Sequence, residues 1–256
     1  MRILGWLVAA VLAVLATVLV FLPAAWMSPL LETQTGGRLT LGDPQGSLWH
    51  GSAFVGAAPG GNDPVTPLLP GRFSWDLSPL VMLGRVDLLV ENPDALSQPV
   101  RILGSWHQWH VGPAAVGLPA ERLAALGAPL NTIQPSGRMS LSWSPMEVSR
   151  QGNRIQFSGQ ATLELQDIAS RLSPVRPLGA YRVALDLRGE QTTMGLTTLK
   201  GPLMLSGAGK MVNERLQFSG RAEAEAGQEE RLANLLNLLG QRRKEGGKDY
   251  IALEFK

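Results

Sequence analysis

The sequence predicts a mainly β protein: an N-terminal transmembrane helix followed by an antiparallel, curved, multi-stranded β-sheet domain with a few short helices. Three observations carry this. Residues 3–31 contain no charged side chain. The rest of the chain alternates apolar and polar residues with period two, as half-buried strands do. Gly 29 and Pro 18 punctuate that pattern too often for long helices.

The N-terminal segment comes first. Residues 3–22 are almost wholly Leu, Val and Ala, and twenty helical residues at about 1.5 Å each span roughly 30 Å, the thickness of a bilayer core. A cleavable signal peptide has a shorter apolar run of about 7–15 residues with small residues at its cleavage point. Here the best cleavage candidate, Pro23-Ala24-Ala25, is followed at once by the bulky Trp26 and Met27. Trp6 and Trp26 lie near the two ends of the span, where amphipathic rings favour the headgroup layer. The expectation is an uncleaved anchor over residues 1–29. Only Arg2 precedes the span, so the N-terminus is expected to stay in the cytoplasm and residues 30–256 to lie across the membrane.

Those remaining residues can bury a sizeable core. The clearest strand is Tyr181-Arg182-Val183-Ala184-Leu185-Asp186-Leu187-Arg188, with Tyr, Val, Leu and Leu on one face. Further strands are expected at 38–41, 47–54, 71–77, 85–90, 102–111, 138–143, 154–158, 161–165, 196–199, 203–205, 216–220 and 250–255. Three helical segments interrupt them. Residues 119–126 have Pro in the first turn and Gly127 as the stop. Residues 167–172 have an acidic start. Residues 226–239 are the longest, with Leu232, Leu235, Leu236 and Leu239 on one stripe, two glutamates near the start and Gly240 past the end. That stripe is expected to pack on the sheet, and it is also the candidate partner-binding face. The basic residues Arg242-Arg243-Lys244 then suit the helix C-terminus.

The chain also echoes itself. Gly71–Pro79 resembles Gly137–Pro145, and Arg154–Ala161 resembles Arg215–Ala222. The latter two end in aromatic–x–Gly–x–Ala, as does Trp49-His50-Gly51-Ser52-Ala53. Glycine within a strand allows a bend or a close neighbour. The echoes suggest similar hairpin units and an internal repeat with halves near 30–130 and 131–256.

No catalytic constellation stands out. The histidines are His50, His107 and His110. On one strand His107 and His110 would point to opposite faces and could not share a metal. Nucleophile elbow, phosphate loop and metalloprotease helix are missing from the sequence. With Cys 0 there is no thiol chemistry, and a net charge of +2 gives no footprint for nucleic acid. Acidic residues such as Glu164, Asp167, Asp186 and Glu190 alternate with apolar ones, as a wet sheet face does. The residues point to no enzyme, no cofactor and no metal.

Five stretches together resemble the type II secretion system protein N family, also called general secretion pathway protein N. Gly46-Ser47-Leu48-Trp49-His50-Gly51-Ser52-Ala53 is similar to the family's G-[ST]-[LV]-W-x-G-x-A signature. The run LGAPLNTIQPSGRMSLSW from Leu126 resembles its central segment, and LSPVRPLGAYRVALDL from Leu172 its next block. Residues 196–222 and LANLLNLLGQRR from Leu232 resemble its C-terminal end. The resemblance implies an inner-membrane protein with a periplasmic domain, an accessory of the machinery that exports folded proteins across the outer membrane. It implies other inner-membrane subunits as partners and transfers no catalytic residue. Two functional readings follow. An assembly subunit would bind its partners by strand addition or groove packing. A lipid-handling protein would offer an apolar face of its bent sheet to acyl chains.

Overall fold

A computed structural model describes residues 6, 10, 17–18, 21–36, 39–57, 66–122, 134–152, 154–189, 191–212, 215–245 and 248–255. Most of the expected membrane span lies outside these residues. Among the described residues, no helix is long and apolar enough to cross a membrane. A 3-10 turn, Ala24–Trp26, leads into an α-helix, Met27–Thr35, closed by Gly36 in a left-handed conformation.

The strands then follow as β1 Thr40–Gly46, β2 His50–Ala57, β3 Thr66–Pro67, β4 Phe73–Leu77, β5 Arg85–Glu91 and β6 Val100–Ser105. Next come β7 Gln108–Val111, β8 Ala114–Pro119, β9 Pro135–Trp143, β10 Met146–Gln151 and β11 Arg154–Ser170. The last are β12 Gly179–Gly189, β13 Gln191–Lys200, β14 Leu203–Val212, β15 Arg215–Ala224, β16 Gln241–Glu245 and β17 Lys248–Phe255. A helix, Glu229–Leu239, separates β15 from β16. All these strands belong to one 17-stranded sheet, and its pairings are antiparallel throughout.

The sheet is a long curved meander. From β4 to β7 each strand pairs with the next, and so it is from β11 to β15, which pairs with β17. In the middle, β7 and β8 lie end to end against β10 and β9. Val111 faces Met146 and Ala114 faces Trp143 in one unbroken register. The gap between them brings Gly112-Pro113 opposite Ser144-Pro145. Proline has no N–H to donate, so the ladder pauses on both strands at once. Inward positions switch from odd to even on one strand and from even to odd on the other, so the sheet bends without exchanging its faces.

Those faces differ in chemistry. Val116, Leu141, Leu163, Val183, Leu196, Gly207, Gly220 and Leu253 face one another in a row across eight strands. The next row, on the opposite face, is Gly117, Ser140, Glu164, Arg182, Thr197, Ser206, Arg221 and Ala252. Two buried clusters form on the apolar side. At the C-terminal end Leu232, Leu235 and Leu236 of the helix meet Phe218, Ala222, Ile251, Leu253, Val175 and Leu178. At the N-terminal end Ala24 packs with Ala53 and Trp75, with Met27, Leu41 and Leu88 around them.

Several expectations need correction. Residues 167–172 are not helical, because β11 runs on to Ser170. Asp167 sits at φ 54, where the pairing with β12 shifts between Leu165 and Ile168. Asp adopts this left-handed geometry more readily than most residues, and Arg138 and Lys200 neutralise it there. Pro119 ends β8 and residues 120–122 take a 3-10 conformation; residues 123–126 of that expected helix lie outside the described residues. The single strand expected over 102–111 is the hairpin of β6 and β7, turning at Trp106-His107. Residues 154–158 and 161–165 are one strand. The basic Arg242-Arg243-Lys244 lie within β16 and do not cap the helix.

Candidate functional site

An open trough of about 1130 Å³ crosses β11 to β15 and reaches β17. Its floor is a row of small residues: Thr162, Ala184, Gly195, Ala208 and Ser219, each facing the next across the sheet. The neighbouring row, Gln160, Asp186, Thr193, Lys210 and Gln217, forms one wall. This is the polar face, and a Cβ added at Gly195 would meet open space. The trough has opposite charges in Asp186 and Lys210, and Asp186 is already paired with Arg188 at 2.6 Å. Its depth comes from small side chains beside long ones.

The aromatic–x–Gly–x–Ala echo has a packing cause. The alanines Ala53, Ala161 and Ala222 are all buried. Gly51 faces Trp75 in the register, and a Cβ there would strike the Trp75 indole. At Gly220 the ring of Phe218 occupies the same space, at 2.8 Å from a would-be Cβ. Gly51 and Gly220 admit rings, whereas a Cβ at Gly159 would meet the Met146 side chain at 2.8 Å, and no ligand need be invoked for them. Trp49 is buried in the bend before β2 and its carbonyl accepts from the Leu77 amide at 2.7 Å. Trp75 donates its indole N–H to Leu48 O at 3.0 Å. The signature segment Gly46–Ala53 is thus a packed corner.

The ionisable residues are dispersed. His50 Nδ1 lies 3.3 Å from Asp76, its cross-strand partner, and His110 Nδ1 lies 3.6 Å from Glu147, also directly opposite. Both pairs are exposed, and such pairs contribute little. His107 is in the β6–β7 turn, so it shares no strand with His110. The Arg101 guanidinium grips Asp87 through two hydrogen bonds and holds its carboxyl below the usual range. Tyr181 is buried, donates to Leu203 O at 3.0 Å, and has its pKa raised by burial. Among the described residues, no three His, Asp or Glu side chains come together to hold a metal ion.

The stripe proposed as a partner face points inward. Leu232, Leu235 and Leu236 are buried against the sheet and Leu239 packs beside them. The exposed leucine of this helix is Leu238. Sequence reasoning did not single out the turn Pro79–Leu83 or Trp106, although Leu80-Val81-Met82-Leu83 is too apolar for an ordinary turn and gave a usable signal.

The model of the family "Type II secretion system (T2SS), protein N" matches residues 37–249. The chain belongs to the type II secretion system protein N family. The match covers the packed Trp49 corner, both faces of the sheet and the C-terminal helix. No curated protein matches the chain, and neither does any solved structure. This family member is therefore a component of type II secretion, an accessory to an envelope-associated machine whose subunits work together.

Proposed function

We propose that this T2SS protein N is a single-pass inner-membrane subunit that supports export of folded proteins through periplasmic protein contacts, without chemistry of its own. The observation that carries the reading is the form of the domain: one antiparallel sheet whose outer strands, β1 and β16, each pair with a single neighbour among the described residues. The outer strand of a sheet can accept a further strand from a partner. The apolar residues 3–22 supply the anchor, with residues 1–29 in or at the membrane, the N-terminus cytoplasmic and residues 30–256 periplasmic. The internal repeat, with halves near 30–130 and 131–256, is part of the same proposal. Leu232, Leu235, Leu236 and Leu239 serve a partner only if their helix lifts from the sheet.

A photo-crosslinking residue at Gln241 or Arg243 in cells tests this. The expected result is a covalent adduct with another inner-membrane subunit of the secretion machinery. A second reading, acyl-chain handling, is favoured by the continuous apolar rows on one face of the sheet. Adducts with lipid alone, from probes at Leu141 and Val183 on that face as well as from the edge, would replace the first reading with the second.

A further inference from the structure

Four exposed apolar side chains gather at one end of the sheet. Leu80, Met82 and Leu83 occupy the turn between β4 and β5 at 45%, 47% and 82% exposure. Trp106, in the neighbouring turn between β6 and β7, is 54% exposed. Single exposed leucines are ordinary, but three of five consecutive turn residues beside a tryptophan are not. The tip is also fixed in shape. Ser78 caps the turn, Gly84 closes it in a left-handed conformation, and the Trp106 indole N–H donates to Val81 O at 2.6 Å. That bond satisfies the ring's polar atom and leaves an apolar surface outward.

We propose that this end of the sheet rests in the membrane surface, with Leu80, Met82, Leu83 and Trp106 inserted at the headgroup level as a second, non-spanning contact. The occupant is fixed by continuity. The Leu48 amide donates to Leu22 O at 2.7 Å, and Pro23 bridges Ser47, so the N-terminal apolar segment joins the domain at the β1–β2 turn. That turn is beside the apolar tip: Leu77 N donates to Trp49 O at 2.7 Å, immediately before Ser78. From β2 to β6 is three strand spacings of about 4.8 Å, or roughly 14 Å. A chain that leaves the bilayer at Leu22 therefore holds the tip close to the same surface. Leucine, methionine and tryptophan at such a position match the preference of amphipathic rings and apolar wedges for the interface. The consequence is a domain that stands on the bilayer with its strand ends down, in a fixed orientation.

The inference rests on the anchored reading given above, and one preparation separates the two. The sequence has Cys 0, so single cysteines can be labelled cleanly. Full-length Leu83→Cys and Leu172→Cys carry an environment-sensitive fluorophore in phosphatidylethanolamine–phosphatidylglycerol vesicles with brominated acyl chains. Leu172 is the control, an exposed leucine in the turn after β11 at the opposite end of the sheet. The expected result is several-fold quenching at Leu83 by brominated lipid with protection from a soluble quencher, and the reverse at Leu172. Equal behaviour at the two sites overturns the proposal, as does protection at Leu83 without quenching by lipid. Alkaline extraction of the same vesicles reads the anchor: release of a chain whose Leu83 was quenched before extraction removes the anchor and keeps the tip. Release with Leu83 unquenched removes both.

Discussion

Trp49 and Gly51 hold the corner on which the N-terminal half of the sheet is built. Trp49 is buried with its carbonyl engaged, so Trp49→Ala should cost about 3–5 kcal/mol, the range for emptying a large aromatic site. Thermal or urea unfolding reads this directly. A variant that melts like wild type while losing its partner would make Trp49 a contact residue. Gly51→Ala would drive a methyl group into the Trp75 ring and the Ser47 carbonyl. The cost should be about 1–3 kcal/mol, the usual penalty for overpacking. The additional change Trp75→Leu should recover part of it, because the obstruction is the ring. The motif around these residues could be read from the sequence as a recurrence. Its cause could not, since the ring over Gly51 belongs to a strand brought alongside only by folding.

The helix Glu229–Leu239 shows what an element's sequence can and cannot convey. Its leucine stripe and stop at Gly240 define it without reference to the rest of the chain, and the structure differs only by a start at Glu229. Leu232 is fully buried, so Leu232→Asp puts a charge into the apolar cluster under the helix. The helix should detach, with faster proteolysis between β15 and β16. Leu238→Asp, at an exposed position of the same helix, should leave proteolysis unchanged. An equal effect of both substitutions would show that the exposed side of the helix is also engaged. The strand β11 makes the opposite case. Its Asp167 reads locally as a helix start because Asp competes for backbone amides in both settings. Only the pairing of β11 with β9 and β12 turns that residue into a bulge. Strands β8 and β10 escaped notice because Gly112-Pro113 and Ser144-Pro145 look like chain breaks, whereas facing each other they make a bend within a continuous hairpin. The same blindness to pairing hid the apolar tip, which depends on two turns far apart in sequence.

At the scale of the whole molecule, the proposed function requires a sheet that is tethered to a membrane and works through its surfaces. Residues 3–22 should keep the full-length chain in the membrane fraction after alkaline extraction, with an unprocessed N-terminus. A mature chain beginning near Trp26 and soluble in the periplasm would contradict the anchor. Among the described residues His50, His107 and His110 lie apart, and on the proposed function contact area and fold should decide activity. The most direct measurement is the partition of a secreted enzyme between culture medium and periplasm in a strain lacking this subunit. Wild type and a combined His107→Gln, His110→Gln, Asp186→Asn variant, at matched protein levels, should both restore export to the medium. Export that never depended on the subunit, or that failed with the folded triple variant, would contradict the account.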